Sequence, residues 1–150
     1  MTTESLPDCL YYLVTRASLV ATTLLKKGLA TANVEHVKPG YLGLLMALWQ
    51  QDGLQAAEAA RLAGLEPSTT TGLLDRLERL GMVERRTDPG DRRAVRIHLT
   101  QEGRRLEPAV RAVVDAALAR AAEGIAPKDL ETTRCVLRKF LLNAAAATRS

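Results

Sequence analysis

Two hydrophobic rhythms run along the chain. Over residues 8–32 the apolar positions Leu10, Leu13, Val14, Ala17, Val20 (with Ala21), Leu24 and Leu25 recur every three or four residues, which puts them on one face of a helix. That predicts a first helix fraying by Asn33, before Pro39-Gly40 interrupts the chain. A second helix is predicted over 39–51, with Pro39 in its first turn, a face of Tyr41, Leu44, Leu45, Leu48 and Trp49, and Asp52-Gly53 as its end. A short helix over 55–63, stopped by Gly64, carries Ala56, Ala59, Ala60 and Ala63, small enough for another helix to come close. After Gly64-Leu65-Glu66 a fourth helix runs from Pro67 to about Leu80, where Gly81 supplies the stop. Thr70, Leu73, Leu74, Leu77 and Leu80 form its apolar stripe, leaving Ser68, Thr69, Thr71, Gly72, Asp75, Arg76 and Arg79 outside. Two helices joined this tightly match a helix-turn-helix.

After Gly81 the period shortens to two. Met82 to Arg86 reads as one strand and Ala94 to Leu99 as another, with Val95, Ile97 and Leu99 on one side and Arg96 and His98 on the other. Thr87 to Arg92, containing Asp88-Pro89-Gly90-Asp91, has the composition of a turn. A two-stranded hairpin directly after a helix-turn-helix is a wing. Thr100 is then suited to cap a helix over 101–124, with Glu102 in its first turn and a broad face of Leu106, Val110, Val113, Val114, Ala117, Leu118 and Ala121. Gly124 ends that helix and Pro127 opens the last, whose inner side is expected to hold Leu130, Val136, Leu137, Phe140 and Leu141. The closing Ala144 to Ser150 reads as a fraying helix end. The regions are 1–38 (N-terminal helix), 39–100 (winged helix-turn-helix) and 101–150 (C-terminal helices), in one compact domain.

Composition supports a helical fold. Hydrophobic residues make up 47% of the 150, yet only 3% of the chain is aromatic; the apolar mass is Ala and Leu, which favours helix. No apolar run is long enough to span a bilayer, and the opening Met1-Thr2-Thr3-Glu4 lacks the pattern of a secretory signal. Two distant cysteines do not suggest a disulfide scaffold. A cytoplasmic protein is expected. The net charge of +4 is modest, but its placement is uneven. Between Arg85 and Arg105 stand Arg85, Arg86, Arg92, Arg93, Arg96, Arg104 and Arg105 against Asp88, Asp91 and Glu102. A concentrated arginine segment in an otherwise neutral protein points to a polyanion partner.

With the helix-turn-helix and the wing in place, the chain resembles the MarR family of winged-helix transcriptional regulators. The residues that carry the resemblance are Leu73-Leu74-Asp75-Arg76-Leu77-Glu78-Arg79-Leu80-Gly81-Met82-Val83, then Arg85-Arg86, Asp88-Pro89-Gly90-Asp91-Arg92-Arg93-Ala94 and Leu99-Thr100-Gln101-Glu102-Gly103. Together with the six-helix layout the likeness spans about 8–147. It implies a mostly α fold with a small β wing: a winged helix-turn-helix flanked by N- and C-terminal dimerisation helices. It further implies a homodimer whose first, fifth and sixth helices interlock, setting two fourth helices in successive major grooves roughly 34 Å apart. The first and last helices are independently too apolar to be covered by a small helix-turn-helix. The expected partners are double-stranded DNA carrying an inverted repeat and a second copy of the chain, with no membrane. Repression is the commoner behaviour in the family.

On the fourth helix, Ser68, Thr69 and Thr71 suit bases or phosphates, and Arg76 suits a phosphate; capping is the plainer role for Ser68 and Thr69. By resemblance, Arg93 enters the minor groove with Asp91 as its brace and Arg92 beside it, against the alternative of a surface ion pair. Two positions depart from the family: Gly72, often basic or polar in relatives, and Glu66, a weaker cap than Asp, Ser or Asn. Family members often release DNA when a small aromatic or phenolic effector binds, and the candidates to line such a cleft are Tyr11, Tyr12, His36, Tyr41 and Trp49, each with core packing as its plainer role. A rival switch is a thiol pair, Cys9 and Cys135, although Leu13 and Lys38 stand where the peroxide-sensing branch places activating tyrosines. Inert thiols are the simpler alternative. No metal-ligand spacing, phosphate-cradling glycine loop or catalytic constellation is present, so no cofactor, no metal and no enzymatic activity are expected. A winged helix used for protein contacts is the remaining competitor.

Overall fold

Residues 6–148 are described in the computed structural model, so Met1 to Ser5 and the terminal Arg149-Ser150 lie outside the described residues. The chain resolves into two units, Met1–Ala117 and Leu118–Ser150. In the first, α1 spans Leu10–Thr31 and ends just before Asn33, which takes a left-handed φ of 57°. A 3-10 turn at Pro39–Tyr41 leads into α2 (Leu42–Gln50), so the predicted second helix opens with a tighter turn than expected. Next come β1 (Leu54–Gln55), α3 (Ala56–Ala63) and α4 (Pro67–Arg79). The wing is β2 (Val83–Asp88) and β3 (Asp91–Leu99), followed by α5 (Gln101–Arg105) and the start of α6 (Glu107–Ala121).

The core lies around α2. Leu44, Leu45 and Leu48 have no exposed surface, and they share one cluster with Leu29 of α1, Ala59 of α3, Leu74 and Leu77 of α4, Val83, Ile97 and Leu99 of the sheet, and Val110 of α6. Gly64 closes α3 at φ 67°, a left-handed conformation that disfavours any Cβ, and its N–H reaches back to the last turn. Gly103 has a different reason to be glycine: a Cβ there would meet the Met82 carbonyl oxygen at 2.1 Å. The predicted cap is present. Thr100 Oγ1 accepts the Gly103 N–H at 3.1 Å and donates to the Gly81 carbonyl at 2.5 Å, fastening α5 to the end of α4.

Four expectations are corrected. The sheet has three antiparallel strands in the order β1-β3-β2, with Leu54 opposite Ile97 and Val83 opposite Leu99. A two-residue strand carries too little periodicity to be seen from its own sequence. The strands run further than their hydrophobic alternation, pairing as far as Asp88 with Asp91, so the turn shrinks to Pro89-Gly90. The single helix predicted over 101–124 is interrupted at Leu106 and ends at Ala121; Pro108 has no N–H to continue the ladder at that point. Apolar pattern also overstates burial at Val95, 45% exposed, and Leu80, 44% exposed. Val95 lies beyond the short reach of β1.

In the second unit, α7 spans Pro127–Ala147 after a turn at Gly124. Its expected inner side is not covered within the single chain. Leu130 is half-buried, while Val136, Leu137, Phe140 and Leu141 are exposed, the last by 66%. Among the described residues no helix is long and apolar enough to cross a membrane.

Candidate nucleic-acid interface

The outward face of α4 follows from its stripe. With Thr70, Leu74 and Leu77 buried, the 3.6-residue turn leaves Ser68, Thr69, Thr71, Gly72, Asp75, Arg76 and Arg79 exposed, as the pattern predicts. Glu66 occupies the N-cap without a side-chain cap bond, and Pro67 follows it. The N–H groups of Ser68 and Thr69 are therefore among the donors a helix start leaves open. The hydroxyls divide. Thr70 donates to the Glu66 carbonyl at 2.9 Å and Thr71 to the Pro67 carbonyl at 3.1 Å, whereas Ser68 and Thr69 make no side-chain hydrogen bond among the described residues. The start of α3 differs in carrying a capping box, in which the Gln55 side chain accepts the Glu58 N–H and the Gln55 N–H donates to the Glu58 carboxylate at 3.0 Å.

The structure sorts the arginine-rich segment into two groups. Five of its seven guanidiniums face carboxylates: Arg85 with Asp75 and Glu78, Arg86 with Glu84, Arg96 with Asp88, Arg104 with Asp52, and Arg105 with Glu102. Arg96 also donates to the Gly53 carbonyl at 2.8 Å. Only Arg92 and Arg93 have no side-chain partner among the described residues, and both are exposed beside the turn. The charge run therefore overstates how much of the segment is free for a polyanion. Arg76, on α4, is likewise exposed and has no side-chain partner among the described residues.

The wing turn is built by its acids. Asp88 Oδ1 accepts the Gly90 N–H at 2.8 Å, and that bond together with Arg96 holds the Asp88 carboxyl below the usual carboxylate range. Asp91 Oδ1 accepts the Arg93 N–H at 2.9 Å. The contact of Asp91 is thus with the main chain of Arg93, and the guanidinium remains unpaired. At the base of the wing, Asp52 accepts the Leu99 N–H at 2.8 Å and the Arg104 guanidinium at 2.7 Å, with His98 Nδ1 at 3.6 Å. Burial opposes ionisation of Asp52, but the Leu99 N–H, Arg104 and the Gly53 N–H outweigh it and lower its pKa.

The other candidate residues are scattered. Tyr41 is in the core, 8% exposed, and Trp49 is half-buried, donating its indole N–H to the Gly103 carbonyl at 2.9 Å with Arg111 over its ring. Tyr11 is 79% exposed on α1, Tyr12 half-buried beside it, and His36 exposed in the following loop. Cys9 is half-buried at the N-cap of α1, and Cys135 is exposed on α7 with Glu131 at 3.9 Å. No cluster that could hold a metal occurs among the described residues.

Comparison with known proteins places this geometry. The MarR family model matches residues 40–95, from the start of the second helix to the wing. The crystal structure of CouR from Rhodococcus jostii RHA1, bound to p-coumaroyl-CoA, superposes with a TM-score of 0.80 at 32% identity, covering 93% of this chain and 96% of that one. A MarR-family transcriptional regulator from Rhodococcus sp. RHA1 gives 0.80 at 31% identity with the same coverage. The chain belongs to the MarR family. Among curated relatives, the helix-turn-helix-type transcriptional regulator YsmB of Bacillus subtilis (strain 168) is 37% identical over 87 residues, 58% of this chain and 60% of YsmB. The match to TtmR of Methylorubrum extorquens (strain PA1) is 42% identical over 76 residues, 51% of this chain and 38% of TtmR. The chain thus spans less than two thirds of the curated relatives it matches.

Glu66 and Gly72 both lie on the exposed side of α4, one at its N-cap and the other in its interior. Glu66 leaves the helix start uncapped, and Gly72 stands where a Cβ would meet nothing within 4 Å. What sequence reasoning missed was the partition of the arginines. Strand alternation did carry a signal for Arg85: it stands two residues after the buried Val83, and its direct partner across the hairpin is Ile97. Paired residues share a face of the sheet, so Arg85 is directed toward α4.

Proposed function

We propose that this MarR-family chain is a sequence-specific double-stranded-DNA-binding transcriptional regulator, a repressor that acts as a homodimer on an inverted repeat. The observation that carries the reading is the sorting of the arginines. Arg92 and Arg93 alone are left unpaired at the wing, with the turn beneath them held by Asp88 and Asp91. On α4, the open N-terminal turn, the free hydroxyls of Ser68 and Thr69, and Arg76 supply donors for phosphates and base edges. Arg93 serves as the minor-groove probe, where a narrow A·T-rich groove concentrates negative potential. The exposed apolar side chains of α1 (Leu10, Leu13, Val20) and of α7 (Val136, Phe140, Leu141) support burial against a second copy.

The test is selection of bound genomic fragments by purified protein at about 0.15 M salt, followed by titration of the recovered duplex. Enrichment of an inverted repeat is expected, with loss of affinity in Arg93→Ala and no loss of folding. The three guanidiniums of α4 and the wing that have no partner among the described residues (Arg76, Arg92, Arg93) give six in a dimer, hence a log–log salt slope of about −5, which Arg93→Ala should reduce by about 2. No enrichment from folded dimer, or a slope near zero, refutes the reading.

Release of DNA by a small aromatic or phenolic effector completes it. CouR, at 32% identity, has been crystallised with p-coumaroyl-CoA, which makes that thioester the first compound to titrate. Because Tyr41 is buried and the Trp49 N–H is engaged, Tyr11, Tyr12 and His36 are the more accessible of the candidate contacts.

A further inference from the structure

Arg85 belongs by position to the cationic run that points at a polyanion, yet its guanidinium is engaged inside the protein. Its Nη1 donates to Glu78 Oε2 at 2.5 Å and its Nη2 to Asp75 Oδ1 at 2.7 Å, while its main-chain N–H donates to Glu78 Oε1 at 3.1 Å. Asp75 and Glu78 lie three residues apart, one turn of α4, so a planar fork spans them where a single ammonium would not. We propose that Arg85 is a positioning residue: it buckles the wing to the recognition helix, fixing the spacing at which both meet DNA, and touches no DNA itself. This rests on the DNA-binding reading above.

Two further observations fit that role. The hairpin projects past β1, whose pairing with β3 stops at Gln55 opposite Arg96, so the outer wing has no third strand to hold it. Arg85 sits on the hairpin face that carries Val83 and Ile97, and Arg96 ties the opposite face to the Gly53 carbonyl. The wing is thereby held from both sides by side-chain contacts at its root. In addition, Asp75 and Glu78 are 54% and 41% exposed on the helix that presents Ser68, Thr69 and Arg76. Without Arg85 these carboxylates would repel phosphates beside the site.

The experiment uses full-length Arg85→Ala, Arg85→Lys and Arg93→Ala, alone and combined, with the duplex recovered by fragment selection. Arg85→Ala is expected to weaken binding by about tenfold, and Arg93→Ala to cost less in its background than in the wild type, because a displaced wing no longer places Arg93. The salt slope should fall toward that of Arg93→Ala, since a displaced wing loses the same contact, and the double variant should lower it no further. Arg85→Lys should fail to restore affinity. Unchanged affinity, losses that simply add in the double variant, or full rescue by lysine would each overturn the proposal. Hydrogen exchange of the free protein gives a readout that does not depend on DNA. Wing amides over 83–99 should exchange faster in Arg85→Ala while the Trp49 emission and the dimer are unchanged; unaltered exchange overturns the buckle. If Arg85→Ala does not fold, Glu78→Gln removes one prong and should show the same changes, smaller in size. A wild-type protein that binds no DNA would refute the regulator reading, and with it the purpose of the buckle, whereas exchange would still decide whether the fork holds the wing.

Discussion

Gly72 is the position where stability and function are expected to pull in opposite directions. It is the sixth residue of α4, on the exposed face, and a Cβ placed there meets nothing within 4 Å. No packing inside the chain therefore requires glycine. A helix-interior glycine costs about 0.8–1.0 kcal/mol relative to alanine, chiefly through backbone entropy. Since the new methyl group neither fills a cavity nor meets a neighbour, that propensity term is the whole expected effect of Gly72→Ala. For a chain of 150 residues a gain of about 1 kcal/mol raises Tm by about 2–4 °C. Trp49 is the single tryptophan, hydrogen-bonded to Gly103 beneath Arg111, and its fluorescence reports the melt directly. Both proteins must be compared at one protomer concentration, because the proposed dimerisation would make Tm concentration-dependent. If glycine is present so that the α4 backbone can approach DNA closely, the same variant should bind the selected duplex more weakly despite its higher Tm. A Tm that stays level or falls refutes the argument that this face is open in the free protein. A higher Tm with unchanged affinity and sequence preference refutes the close-approach argument alone.

Two other consequences are equally accessible. Asp52 has a pKa lowered by the Leu99 N–H and Arg104 against the opposing effect of burial; a depressed carboxylate contributes stability that is complete above its unfolded pKa, near 3.9, and is lost as pH falls through the folded value. Asp52→Asn should therefore be less stable than wild type at neutral pH, and denaturant titrations should show the gap closing as pH falls below about 4; a gap independent of pH would remove Asp52 ionisation as the cause. In the core, Leu45→Ala empties a site with no exposed surface and should cost about 2–5 kcal/mol, whereas Leu141→Ala, at a side chain 66% exposed in the single chain, should change dimer dissociation in sedimentation far more than protomer folding. Equal effects of Leu141→Ala on folding and on association would argue against a role for that face in dimerisation.

Most of the secondary structure was legible because its causes are local. The three-to-four spacing through Leu44, Leu45 and Leu48, the stripe Thr70, Leu74 and Leu77, and the helix stop at Gly64 all act within a turn or two of the chain. So does the Asp88–Gly90 contact of the wing turn, and the Thr100 cap was readable for the same reason. The short strand Leu54–Gln55 was not, since it exists only by pairing with Ile97 and Arg96, some forty residues on. The break near Pro108 has a local signal in the missing N–H, but an apolar face that continues through Val110 and Val113 masks it.

The candidate site divides along the same line. Its exposed hydroxyls, its glycine and its wing arginines could be named from periodicity and turn chemistry, because exposure on a helix face and at a hairpin turn is a local property. Which arginines remain free could not. Charge is carried by each residue, but its neutralisation depends on what folding brings alongside. Asp75 meets Arg85 across a helix and a strand, Asp52 meets Arg104 from more than fifty residues away, and Arg96 reaches back to Gly53. Composition counts these guanidiniums as equals, whereas Coulomb attraction at hydrogen-bond distance separates those engaged by carboxylates from those without a side-chain partner among the described residues.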